Sequence, residues 1–228
     1  MGLSHQKPVV SPHENRKPAI IFITGQRSAG KSTILNMTKF GKFDSTILTI
    51  GIDMQKLDFD NISLTVLDEG GRSRSRASRY IHYRRMSGLI FVIDSTDRES
   101  IDKTCKELYA ISNEEDLRNK SILIFANKQD LPNAMTFDEL YEKLNLTKLN
   151  TNIKWHLQLS SAIQNQGLHE GFQWLAKSLL ENIDPKQSVK DITTITNNFT
   201  SKSNLINFNT FLRKLIQFDS KFILSRFA

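Results

Sequence analysis

Apolar residues fall in short unbroken runs along the middle of the chain, and these runs alternate with segments of helical spacing. Residues 19–25 (AIIFITG), 88–94 (GLIFVID) and 121–127 (SILIFAN) are apolar almost throughout, the pattern of strands buried on both faces. The pairs 52–59 (IDMQKLDF) and 62–68 (ISLTVLD) are joined by Asp60-Asn61, which suits a two-residue hairpin turn. A last strand is expected at 155–160 (WHLQLS). Helical spacing predicts helices over 31–40, 98–112, 136–146 and 167–183. This order predicts an α/β fold: a six-stranded, mostly parallel sheet covered on both faces, with one antiparallel strand at an edge. Crossovers in such a sheet are right-handed, and ligands sit at the carboxyl ends of the strands.

The pattern changes at both ends. Residues 1–17 contain Pro8 and Pro12, show little periodicity and read as a flexible arm, so the regular domain spans 18–183. Residues 184–204 are rich in Thr, Asn and Ser and read as a polar linker. Residues 205–227 then read as an amphipathic helix, with Phe208, Phe211, Leu215 and Phe222 on one half and Arg213, Lys214, Gln217 and Lys221 on the other. Two readings stay open for it: a membrane-surface helix, or a helix folded against the domain or a partner.

Composition narrows the class. The chain has 228 residues, 39% hydrophobic and 24% charged, enough for one domain with an appendage and a sizeable core. A net charge of +7 favours an acidic partner: phosphate, a membrane surface or an acidic protein face. No zinc-finger spacing or RNA-binding aromatic signature accompanies it, so no nucleic-acid partner is expected. Cys105 is the single cysteine, which rules out an intrachain disulfide and suits a reducing compartment. The first residues lack the apolar core of a secretory signal, and no run approaches the ~20 apolar residues of a spanning helix. The chain is expected to be soluble or peripherally attached.

Four motifs carry chemistry, each at the end of an expected strand. GQRSAGKS (25–32) fits G-x-x-x-x-G-K-[ST] between a strand and a helix. The backbone amides of Gly25, Gln26, Arg27, Ser28, Ala29 and Gly30, with the start of the helix at Thr33, would cradle phosphates; Lys31 would reach the outer ones and Ser32 would ligate Mg²⁺. In DEGG (68–71), Asp68 would hold the same Mg²⁺ through water, and the Gly71 amide would donate to a terminal phosphate. In NKQD (127–130), the Asp130 carboxylate matches the paired N–H donors of guanine, which adenine lacks. Asn127 would support the loop and Lys128 would cover the ring. Within Ser160-Ser161-Ala162 a backbone amide, from Ser161 or Ala162, would donate to guanine O6. Together the motifs predict a guanine-nucleotide switch that binds GTP and GDP. A nucleotide kinase with the same phosphate loop would have no use for NKQD.

With these residues in view, the chain resembles the small GTPases of the Arf/Arf-like family, P-loop NTPases with a G domain. The resemblance lies in LTIGIDMQKLDFDNISLTVLDEGG (48–71), GLIFVIDSTDRESI (88–101), ILIFANKQDLPNAM (122–135) and GLHEGFQWL (167–175). It implies GTP hydrolase activity, Mg²⁺, and effectors and regulators bound through the switch regions 41–51 and 69–85. It further implies a role in membrane trafficking, in the cytoplasm and peripherally on endomembranes such as the Golgi. Thr49, in the Thr-Ile-Gly stretch, would ligate Mg²⁺ when a third phosphate is present.

The departures are as informative. The family has a glutamine after the two glycines, where it orients the attacking water; this chain has Arg72. A guanidinium is donor-only and cannot accept a hydrogen bond from that water, although it could neutralise phosphate charge as an arginine finger does. Slow hydrolysis is therefore expected, and Arg27 on the phosphate loop points the same way. The alternative is a hydrolysis-deficient, GTP-bound adaptor acting as an interaction module. Arg72, Arg74, Arg76, Arg79, Arg84 and Arg85 follow Glu69 with no further acid, a run that reads as a site for acidic partners or as a solvated face. Ile52, Leu67, Arg79 and His82 stand where the family exposes aromatic and apolar groups. Gly2 is available for lipidation, but position six holds Gln6 where the acylation pattern has Ser or Thr.

Overall fold

The apolar runs become the inner strands of one sheet. The computed structural model describes residues 16–41, 52–59, 61–69 and 83–182. Six strands, β1 (Lys17–Gly25), β2 (Ile52–Phe59), β3 (Ile62–Glu69), β4 (Gly88–Asp94), β5 (Ser121–Asn127) and β6 (Lys154–Leu159), form a sheet in the order β2-β3-β1-β4-β5-β6. All neighbours are parallel except the β2–β3 hairpin, which puts the antiparallel strand at one edge, as the sequence predicts. The described helices are α1 (Lys31–Phe40), α2 (Ile101–Ser112), α3 (Phe137–Lys143) and α4 (Leu168–Asn182).

Burial explains why these strands lie inside. Ile21, Phe22 and Ile23 of β1, residues 89–93 of β4 and residues 122–126 of β5 are all fully buried. Such strands must be covered on both faces. One covering element is α4, whose Leu168, Phe172, Leu175 and Leu179 are buried. Phe172 stacks on Phe59 at 5.7 Å and meets Phe125 at 5.6 Å, tying α4 to the hairpin and to β5. The close approach requires Gly171, where a Cβ would lie 2.5 Å from the Phe125 ring.

Several boundaries differ from the sequence reading. α2 starts at Ile101 rather than 98, because Asp97 accepts the Ser100 amide and holds the preceding residues in a turn. α3 ends at Lys143 rather than 146: Asn145 takes φ 50 and the chain continues as a 3₁₀ turn, Leu146–Lys148. β6 begins and ends one residue earlier than expected. β1 has neighbours on both sides that leave it in opposite chain directions, toward β3 and toward β4. Its carboxyl end is therefore the crevice at which a doubly wound sheet takes a ligand.

Candidate functional site

β1 ends against β4 at Gly25. Its φ is 123°, and a Cβ would lie 2.1 Å from the Val92 carbonyl, so only glycine fits. Gln26 N donates to the same carbonyl at 3.1 Å. The loop crest carries the exposed Arg27 and Ser28, the latter in the left-handed region at φ 61°. At Gly30 (φ 96°) a Cβ would fall 2.4 Å from Asn127 Nδ2, so a second glycine is required. Gly30 supplies no side-chain cap and the first turn of α1 holds no acid. The positive end of the α1 dipole faces the loop, an arrangement that favours an anion.

Side chains from other strand ends converge here. Lys31 Nζ donates to the carbonyls of Gln26 at 2.6 Å and Gly25 at 3.3 Å. Ser32 Oγ donates to Asp68 Oδ2 at 2.5 Å, with Asp68 only 2% exposed at the end of β3. Parallel register places Asp68 beside Ile23 on β1, two residues before Gly25. Thr33 is buried in the first turn of α1.

Asn127 knits three loops together. It is buried, its Nδ2 donates to the Ala29 carbonyl at 2.7 Å, and its Oδ1 accepts the Ala162 amide at 2.9 Å. Lys128, at φ 70°, donates through Nζ to Asp94 Oδ2 at 2.5 Å. Ser161 Oγ donates to Asp130 Oδ1 at 2.6 Å, and the Gln164 amide donates back to Ser161 Oγ. Burial opposes ionisation of Asp94, but hydrogen bonds from Lys128 and Thr96 outweigh it and hold the carboxyl below its ordinary value.

The described residues expected at phosphate, cation and base thus meet at one end of the sheet. Sequence reasoning assigned a backbone amide of 160–162 to guanine O6. Here the Ser160 amide donates to Ala126 O, that of Ser161 to Gln166 O and that of Ala162 to Asn127 Oδ1. These amides are thus engaged by Ala126, by the isolated bridge between Ser161 and Gln166, and by Asn127. Sequence reasoning also missed Asp94 and Asp97, whose signal was an acid ending a buried strand and another three residues on. Thr49, Gly71 and Arg72 lie outside the described residues, as do Gly2, Arg74, Arg76, Arg79 and 205–227. A groove of about 1320 Å³ lies elsewhere, between the end of α1, the β2–β3 hairpin and α4, and is lined by none of the motif residues. The convergence of chemistry, not cavity size, marks the site.

A doubly wound sheet carrying a phosphate loop, a strand-end Asp and NKQD at its carboxyl edge defines the G domain of a small GTPase. Residues 7–179 match the model of the ADP-ribosylation factor (Arf) family. The chain belongs to the Arf family. Among solved structures it is similar to the Arl6 BBS3 small GTPase from Trypanosoma brucei, determined with bound nucleotide analogue GppNp. The two are 29% identical, with a TM-score of 0.65, over 73% of this chain and 99% of that one. This protein is accordingly an Arf-like small GTPase, a GTP-binding switch from a family of GTP hydrolases that act through effectors and regulators.

Proposed function

We propose that the chain binds Mg²⁺·GTP through residues 25–33, Asp68, 127–130 and the loop at Ser161–Ala162, hydrolyses it slowly, and works as a switch in membrane trafficking. The observation that carries the nucleotide part is Asn127, whose amide bonds the phosphate loop at Ala29 and the last loop at Ala162. That side chain ties the phosphate grip to the loop that carries the Asp130 carboxylate. The hydroxyl of Ser32 is an oxygen ligand of the kind a hard cation takes, and the Asp68 carboxylate beside it would hold the ion through water. Among the described residues no group of three or more His, Cys, Asp or Glu gathers. The other ligands would be Thr49, water and phosphate oxygens. Bound there, Mg²⁺ would neutralise charge developing on those oxygens.

The slow step follows from residue chemistry. Arg72 offers five donors and no acceptor, so it cannot aim a water whose proton must point away from the phosphate. It can lower negative charge on the phosphate but leaves the water unpositioned. Arg72→Gln is expected to raise single-turnover hydrolysis by about 10-fold or more, a barrier change of roughly 1.4 kcal/mol. An unchanged rate would refute this account of the water. The adaptor reading rests on the same arginine and gains if wild-type turnover is negligible while GTP stays bound. For the site itself, titration calorimetry should show GTP and GDP binding far more tightly than ATP; equal binding of the two bases would overturn the role given to Asp130.

A further inference from the structure

Gln26 is the second residue of the phosphate loop, and every polar group it owns is engaged. Its amide donates to Val92 O at 3.1 Å, and its carbonyl accepts Lys31 Nζ at 2.6 Å. Its side chain reaches the turn after β4: Oε1 accepts the Asp94 amide at 2.6 Å and Nε2 donates to Asp97 Oδ2 at 3.4 Å. Both acids have further duties. Asp97 Oδ1 accepts the Ser100 amide at the start of α2, and Asp94 Oδ2 accepts Lys128 Nζ at 2.5 Å. One residue therefore touches the phosphate-loop lysine through its backbone and the acid that holds the NKQD lysine through its side chain.

We propose that Gln26 is a positioning residue that couples the phosphate grip to the base grip, through Asp94 and Lys128. The inference rests on the guanine-nucleotide site proposed above. Lys128 occupies the left-handed region, φ 70°, a conformation that persists in a non-glycine residue only where surrounding contacts fix it. The contact that fixes its side chain is Asp94, and the turn carrying Asp94 is clamped by the Gln26 amide. An apolar residue at position 26 would leave the Asp94 amide and Asp97 Oδ2 without these partners and free the turn to shift. A carboxylate there could still accept from the Asp94 amide, but would face Asp97 with like charge and donate nothing.

The test is release of a fluorescent GDP from the full-length protein, measured for wild type, Gln26→Leu, Gln26→Glu, Lys128→Met and the Gln26→Leu/Lys128→Met double variant. Gln26→Leu is expected to release GDP about 3- to 10-fold faster, through the loss of two part-buried hydrogen bonds. In the Lys128→Met background the same change should add less than about twofold, because its route to the base has already been removed. Gln26→Glu, which keeps an acceptor for the Asp94 amide, should release faster than wild type but no faster than Gln26→Leu. Wild-type release from either single variant, or full multiplication of the two effects in the double variant, would overturn the coupling. Failure of wild-type protein to hold GDP would instead sink the site reading, before any variant is compared.

Discussion

The residue with most resting on it is Asn127. Removing its amide leaves the Ala29 carbonyl and the Ala162 amide buried without the partners they now have, each worth about 1–3 kcal/mol. Asn127→Ala is expected to lower unfolding stability by about 2–4 kcal/mol and to weaken GDP binding at least tenfold, read by urea denaturation and by calorimetry. Loss of stability alone, with affinity intact, would reduce Asn127 to a packing role. The sequence showed Asn127 as the support of its loop, because NKQD ends a buried strand. It did not show that the partner would be the Ala162 amide, since that depends on how far the last loop folds back. The Gln26 side chain was invisible for the same reason: its partners are some seventy residues away in the chain, 68 for Asp94 and 71 for Asp97.

At the scale of elements, the strands were legible nearly to the residue because continuous burial writes continuous apolar sequence. Helix ends were less so, being set by single hydrogen bonds such as Asp97 to the Ser100 amide. At α3, Thr136 and Glu139 form a reciprocal capping box, and Arg98 grips Glu139 with two hydrogen bonds at 2.8 and 3.1 Å. Those bonds from Arg98, and then the Thr136 amide, push the Glu139 carboxyl down to about 2 from 4.5. Because the folded value is depressed, the stability it adds is present above about pH 4.5 and is lost as pH falls from there through about 2. Arg98→Ala should shrink the difference between denaturation midpoints at about pH 5 and about pH 3; an unaltered difference would show the pair to be inert. Gly171→Ala should cost about 1–3 kcal/mol, read as a lowered thermal midpoint, because the added methyl must displace the Phe125 ring.

For the whole molecule, the family and the arrangement of the G domain follow from motifs spread over the length of the sequence. The segments to which partner choice is assigned from sequence do not: the arginine run, the amino-terminal arm and the stretch beyond α4 have no second motif to interpret them. Among the described residues no helix is long and apolar enough to cross a membrane. If 205–227 is a membrane-surface helix rather than one folded against the domain or a partner, flotation with anionic liposomes should carry full-length protein and leave behind a version ending at Asp184, with salt weakening the binding. Equal flotation of both would remove the tail from membrane attachment. The parallel ladder between β4 and β5, which sets Asp94 level with Asn127, carries a further consequence for how this protein can change over time. Alternate residues of a strand look to opposite sides, so losing one codon inside 121–127 would turn the asparagine away from both loops it fastens. The pocket should therefore survive many exchanges of one side chain for another, yet tolerate almost no change in the spacing of that strand.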